Sequence, residues 1–359
     1  MPTPRQPLTR RACLGRLRRW GGLGALPLIG GLGGGLAGCA PLSRTLTPPL
    51  TQALQRDPEA ARPTRAEVRD VPFVAQGDLL CGPASLAMLL GHAGQPAPLS
   101  RLTARTYLPG RQGSLQAEML ATLRREGLLA GRLRPAPHAL SDALDELAHG
   151  QPVAVLLNLS LSWWTRWHYA VLTGYDLQAQ TVRLHSGDTP DAHWPLSTLE
   201  HTWARSGHWA LRACRPGTLP RHTEPERLLA DVLGLEQALG SEAPAVLQAW
   251  AAAQERHPDV ASFWLGWGNA LAARQDWPAA AQAFKGLVAR QDSAVAWNNL
   301  AWCHLQAGEL EAAEQALSRA QQRLAGEPHW AAAVADTQRA LELARPTPAG
   351  AARGPAVAR

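Results

Sequence analysis

A recurrence of 33 residues in the C-terminal third constrains this chain more than any other feature. Trp264, Trp297 and Trp330 stand 33 residues apart each time, and Ala280 and Ala313, Phe284 and Leu317, and Gln275 and Gly308 keep the same spacing. Residues 224–345 have no β-branched runs and read as helices almost throughout. A helical hairpin of this length cannot bury its apolar face alone, so neighbours must stack into an α-solenoid. The clearest unit runs from Ala296-Trp297-Asn298-Asn299-Leu300-Ala301 to Gly308-Glu309-Leu310-Glu311-Ala312-Ala313. A second unit precedes it, Pro258 lies ahead of Trp264, a terminal helix spans about 328–344, and 224–256 reads as an irregular leading repeat. The concave face of such an array suits a peptide or protein partner. The competing reading is an array that only packs on the domain before it.

The N-terminal half is organised around residues 72–90. An apolar, strand-like run from Val71 to Ala75 leads to Gln76, and Cys81-Gly82-Pro83 then opens an unbroken apolar and small-residue stretch. Proline suits the first turn of a helix, so Cys81 is expected at the N-terminus of a buried helix. Unpaired N–H groups and the helix dipole favour an anion there, which predicts a lowered thiol pKa and a nucleophilic sulfur. A core thiol at a helix start is the bland alternative. Further along, Trp167 to Asp176 reads as a strand with His168 near its start, and Thr181 to His185 as the next strand. Ser186, Asp188 and Asp191 follow, where a polar group could orient the imidazole. A thiol, a base and an orienting group are the minimum for nucleophilic acyl transfer.

Gln76 with Cys81-Gly82-Pro83, and then His168-Tyr169-Ala170-Val171-Leu172-Thr173-Gly174-Tyr175-Asp176, resemble the papain-like bacteriocin-processing cysteine peptidases that cut double-glycine leaders. The resemblance covers about residues 68–215. It implies Cys81 as nucleophile, His168 as base and the Gln76 amide in the oxyanion hole, where a fixed donor meets the developing charge. It also implies a narrow cleft that cuts after small residues. One position departs: Ser186 stands where the family carries Asp or Asn, and Asp188 comes two residues later. Asp188 is assigned the orienting role, with Ser186, or the loss of the third position, as the alternatives.

The 33-residue units resemble tetratricopeptide repeats. The expected fold is an α+β papain-like cysteine peptidase domain over 67–216 followed by an all-α tetratricopeptide-repeat domain over 217–345. Helices are expected from Cys81 to Gly91, Leu99 to Tyr107, Leu115 to Glu126 and, capped by Ser141, Asp142 to His149. Strands are expected over Pro152–Leu161 and Trp203–Arg212. Trp163, Trp164 and Trp167 either wall the substrate cleft or pack a hairpin corner.

Residues 1–38 read as a lipoprotein signal peptide: six arginines and no acid, a glycine-rich apolar stretch, then Leu36-Ala37-Gly38-Cys39. Cleavage would leave Cys39 lipidated. Ala40 fits sorting to the outer membrane, which places the chain in the cell envelope facing the periplasm. Thr9-Arg10-Arg11 leaves Sec and twin-arginine export both open. Residues 39–66 hold five prolines and read as a flexible tether, and 346–359 as a disordered tail.

The formal charge of +6 comes from the six signal arginines, so the mature chain is near neutral and nucleic-acid binding is excluded. Cys81, Cys214 and Cys303 remain after Cys13 and Cys39 are set aside, and an odd count leaves a free thiol. No metal-ligand spacing occurs, and no cofactor is expected. The function expected is a lipid-anchored periplasmic cysteine peptidase whose repeats bind a protein substrate or partner. The alternatives are a catalytically silent binding module on the same fold and a transferase using the same thiol.

Overall fold

The computed structural model describes Leu54 and residues 62–75, 79–222 and 224–345. The expected signal peptide, Cys39, Gln76, most of the tether and the tail lie outside the described residues. The chain forms two compact units that meet in sequence at Gln275 and Asp276.

The first unit holds β1 (Arg65–Glu67), α1 (Cys81–His92), α2 (Leu99–Thr106), β2 (Tyr107–Leu108), β3 (Gly113–Ser114), α3 (Gln116–Arg125), β4 (Leu129–Arg132) and α4 (Ala139–Ala148). Then come β5 (Val153–Asn158), β6 (Trp167–Asp176), β7 (Thr181–Ser186), β8 (Thr189–Pro195), α5 (Leu196–Ala204) and β9 (Ala210–Cys214). The main sheet runs β4-β9-β5-β6-β7-β8, with β1 on the far end of β6, and every pairing is antiparallel. Side chains alternate across it. Ala154, Leu156, Tyr169 and Val171 pack with α1 and α3, whereas Val153, Val155, Leu157, Ala170 and Leu172 pack with α4 and α5. This period of two is why β5 and β6, covered on both faces, read as continuous apolar runs.

Helix α1 lies deep. All nine residues from Gly82 to Leu90 are buried, and each large apolar side chain among them contributes about 1.5–3 kcal/mol. Gly82 is required by close approach: a Cβ there would stand 2.5 Å from Ser114 Oγ.

Several local expectations change. Val71 to Ala75 stays outside the named strands. Helix α4 begins at Ala139, and Ser141 does not cap it but accepts from Arg62 Nη2 at 2.7 Å. Trp203 ends up buried in α5, and the closing strand is β9, because Trp203 Nε1 reaches back to the Trp209 carbonyl across the Ser206–Gly207 turn.

Helices α6 (Pro225–Leu239), α7 (Pro244–Arg256) and α8 (Ala261–Ala273) belong to the same compact unit as the sheet, although sequence grouped them with the repeats. The physical reason is a buried charge cluster: Arg124 and Arg212 donate to Asp231 of α6 at 3.1 and 2.9 Å. Leu228, Val232 and Leu235 share a core with Leu129, Trp250 and Phe263.

The second unit contains α9 (Trp277–Arg290), α10 (Ala294–Gln306), α11 (Leu310–Arg323) and α12 (Ala331–Ala344). Successive helices pack as antiparallel neighbours, and α12 also touches α10. Asp276 and Ser293 cap α9 and α10 with their side-chain oxygens. The recurring small and large positions are realised: Ala280, Ala313, Phe284 and Leu317 are all buried. Gln275 and Gly308, equivalent in the repeat, both take left-handed backbone, at φ 63° and 79°, the conformation that ends a helix and reverses the chain.

Candidate active site

Cys81 is the first residue of α1, as Gly82-Pro83 implied. Its carbonyl accepts from Ser85 Oγ at 2.8 Å. Main-chain N–H groups of Tyr169, Gly82 and Cys81 point at the sulfur. The thiol therefore meets β6 at the residue after His168. Leu79, just before the helix, is a bulky residue in left-handed backbone at φ 69°, a strained conformation of the kind found beside functional groups.

The lowered thiol pKa expected at a helix N-terminus is overturned. Burial pushes the Cys81 thiol above its ordinary value, and the N–H groups at the helix start and on Tyr169 only partly offset it.

His168 sits second in β6, opposite Leu157. Burial, followed by the Arg166 charge, pushes its pKa down to about 4. Its Nε2 lies 2.9 Å from Ser186 Oγ. Asp188 does not take the orienting role assigned to it. The β6–β7 register would set Asp188 opposite His168 only if the ladder continued past Val171–His185. Instead the β6–β7 pairs end at Val171–His185, β7 ends at Ser186 with its irregularity facing β8, and Gly187, at φ 60°, and Asp188 turn the chain into β8. Asp188 is exposed in that turn. Ser186, the last residue of β7, is the group that meets the imidazole. A hydroxyl can accept from Nε2–H and hold the tautomer with Nδ1 as base. Being neutral, it does nothing to favour the imidazolium.

Three residues here carried no signal in the sequence reading. Tyr169 donates its hydroxyl to the Ser114 carbonyl at 3.1 Å and packs edge-on to Trp209. Ser114 Oγ is buried without a partner among the described residues and lies against Gly82. His185, also buried, lies 3.2 Å through Nε2 from the Val71 carbonyl, accepts from the Asp191 N–H at Nδ1 and meets Phe73 edge-on. That set of partners fixes its proton on Nε2 and ties β7 to the segment leading to Gln76.

The turn from Leu159 to Arg166 joins β5 to β6. Asn158 braces it: its Oδ1 accepts from the Ser160 and Arg166 N–H groups, and its Nδ2 donates to the Leu161 carbonyl. Arg205 Nη1 donates to the Asn158 and Ser160 carbonyls. The packed hairpin corner is overturned, because Trp163, Trp164 and Trp167 are all exposed.

Cys214 and Cys303 are free and buried, each pushed up to about 12 by burial. Among the described residues no group of His, Cys, Asp and Glu is placed to hold a metal, and no helix is long and apolar enough to cross a membrane. In the second unit, Asn298 Oδ1 and Trp302 Nε1, one turn apart on α10, have no partner among the described residues.

Residues 68–210 match the Peptidase_C39 like family, and residues 245–295 and 265–328 match the tetratricopeptide repeat. No curated protein matches the chain. Among solved structures, a C39-like peptidase from Bacillus anthracis is 19% identical, with a TM-score of 0.35, over 42% of this chain and 96% of its own. A double glycine motif protease from an AMS/PCAT transporter, solved with its leader peptide, is 21% identical, with a TM-score of 0.33, over 41% and 93%. The Yersinia enterocolitica type III secretion chaperone SycD, solved with a peptide of the translocator YopD, is 22% identical, with a TM-score of 0.31, over 33% and 90%. The chain thus joins a C39-like peptidase domain to tetratricopeptide repeats.

Proposed function

We propose that this chain, a C39-like peptidase domain followed by tetratricopeptide repeats, is a cysteine peptidase anchored in the bacterial envelope by a lipid on Cys39. One observation carries the reading: the Cys81 sulfur, at the head of a buried helix, meets the Tyr169 amide next to His168, whose Nε2 is engaged by Ser186. In the proposed reaction the neutral thiol attacks a peptide carbonyl while His168 Nδ1 takes its proton. The carbonyl oxygen becomes an oxyanion, which the Gly82 N–H and the Gln76 amide are suited to receive. Collapse expels the amine, which takes the proton from Nδ1 and leaves a thioester. Water, deprotonated by the same nitrogen, then releases the acid and restores the thiol. The repeats hold a protein substrate or partner.

A second reading, a silent module acting through its repeats, is favoured by the neutral state of both groups and by Ser186 in place of a carboxylate. One experiment separates the two. The chain from Ala40 is exposed to a peptide library and to a peptide vinyl sulfone, with Cys81→Ala and His168→Ala as controls. The peptidase reading expects cleavage and a single adduct at Cys81, both lost in the controls, with Cys214 and Cys303 unlabelled. Ser186→Asp should raise the His168 pKa and speed cleavage by about tenfold or more, a gain of at least ~1.4 kcal/mol. Peptide binding without cleavage or adduct, unchanged by Ser186→Asp, would establish the silent module.

A further inference from the structure

We propose that the turn between β5 and β6 is a docking site for a lipid surface. It carries Leu159 at 37% exposure, Leu161 at 51%, Trp163 at 78%, Trp164 at 69% and, on its β6 shoulder, Trp167 at 50%. Each Å² of this apolar area left in water forgoes roughly 25 cal/mol. A contiguous exposed group of this kind marks an interaction site, whereas scattered single residues do not.

The turn is shaped to present these side chains. Asn158 and Arg205 brace its main chain through five hydrogen bonds, Leu161 and Trp164 pair across it, and the Trp163 and Trp164 rings meet edge-on at 6.4 Å. The side chains themselves are left outward and unpacked.

Charge and residue type select the occupant. From Leu159 to Tyr169 there is no acidic residue, Arg166 is exposed on the turn, and Arg205 supports it from α5. Tryptophan and leucine beside arginine are the composition of a membrane-interface anchor: indoles settle at headgroup level and guanidinium groups meet lipid phosphate. The docking needs no lipid on Cys39. With one present, two weak membrane contacts on one chain would reinforce each other. Because Trp167 adjoins His168, docking would set the candidate site at the bilayer surface, where peptide segments lying in the interface become its substrates.

The test uses the chain from Ala40, which lacks the lipid-accepting cysteine, with vesicles of phosphatidylcholine alone or mixed with phosphatidylglycerol. Co-sedimentation is measured together with tryptophan quenching by brominated lipid. Binding and quenching are expected, stronger on the anionic vesicles. Trp163→Ser combined with Trp164→Ser should weaken partitioning by at least about tenfold at unchanged circular dichroism, and Arg166→Glu should remove the anionic preference. Cys81→Ala should bind as the parent does, so the docking stands or falls apart from the peptidase reading. Parent protein that ignores both vesicle types would overturn the proposal, as would a double tryptophan variant that binds like the parent. Binding of apolar peptides by the turn without vesicle binding would assign it to a protein ligand and overturn the lipid assignment as well.

Discussion

At the corner where α6 meets β4, Asp231 receives Arg124 and Arg212, and Arg227 Nη2 donates to the carbonyls of Arg132 and Leu133. Its apolar residues are covered by Trp250 and Phe263. At the corner where α1 meets β6 the accounting is reversed. Ser114 Oγ is buried unmet, Leu79 is strained and exposed, the imidazole is held far below its ordinary pKa, and tryptophans face water. The first corner pairs the carboxylate it buries. The second tolerates unfavourable terms next to the two groups with the most reactive chemistry, the pattern expected where stability yields to function.

The largest stability effect should come from the first corner. Asp231→Ala would remove the carboxylate that Arg124 and Arg212 share, and Arg212 is almost fully buried. A loss of about 3–5 kcal/mol is expected in urea denaturation. A loss below ~1 kcal/mol would break the contrast, since the charges would then be finding water.

Next is the pH dependence at the second corner. His168 titrates at about 4 when folded against 6.5 unfolded. Between those values the unfolded chain binds the extra proton, so stability falls as pH drops from 6.5 towards 4, by up to roughly 3 kcal/mol. His168→Gln should flatten that limb of the stability curve while leaving the neutral-pH value nearly in place. An unchanged limb would show that the imidazole is solvated and that this corner carries less strain than described.

The smallest effect sharpens the comparison most. Trp163→Ser with Trp164→Ser should change folding stability by no more than ~0.5 kcal/mol, because the rings pack on little besides each other. A loss above ~2 kcal/mol would return them to the core.

How much of this was legible beforehand depends on range. Gly82-Pro83 after Cys81 set the start of α1, the apolar run set β6 with His168 near its start, and the 33-residue spacing located the repeat helices and the equivalent positions Gln275 and Gly308. Each is a signal read within one element or one period. The partner of His168 was not legible in that way, because the point at which β7 gives way to a two-residue turn decides between Ser186 and Asp188. Nor was the state of the thiol. The helix end is visible in sequence, but the depth of burial that overrides it comes from residues far along the chain, Tyr169 and Met119 among them. The grouping of α6 with the sheet depends likewise on Asp231 meeting two arginines 107 and 19 residues away.

The bracing of the β5–β6 turn has a consequence for heredity. Asn158 and Arg205 grip only peptide groups, so the shape of the turn does not depend on which side chains it displays. The helix under Cys81 is the opposite case, since nearly every letter there is fixed by its neighbours. A lineage carrying this chain can therefore rewrite Leu159 to Trp164 without disturbing the backbone around Cys81. Divergence among descendants should collect in that turn, and what the turn meets should change sooner than the residues around Cys81.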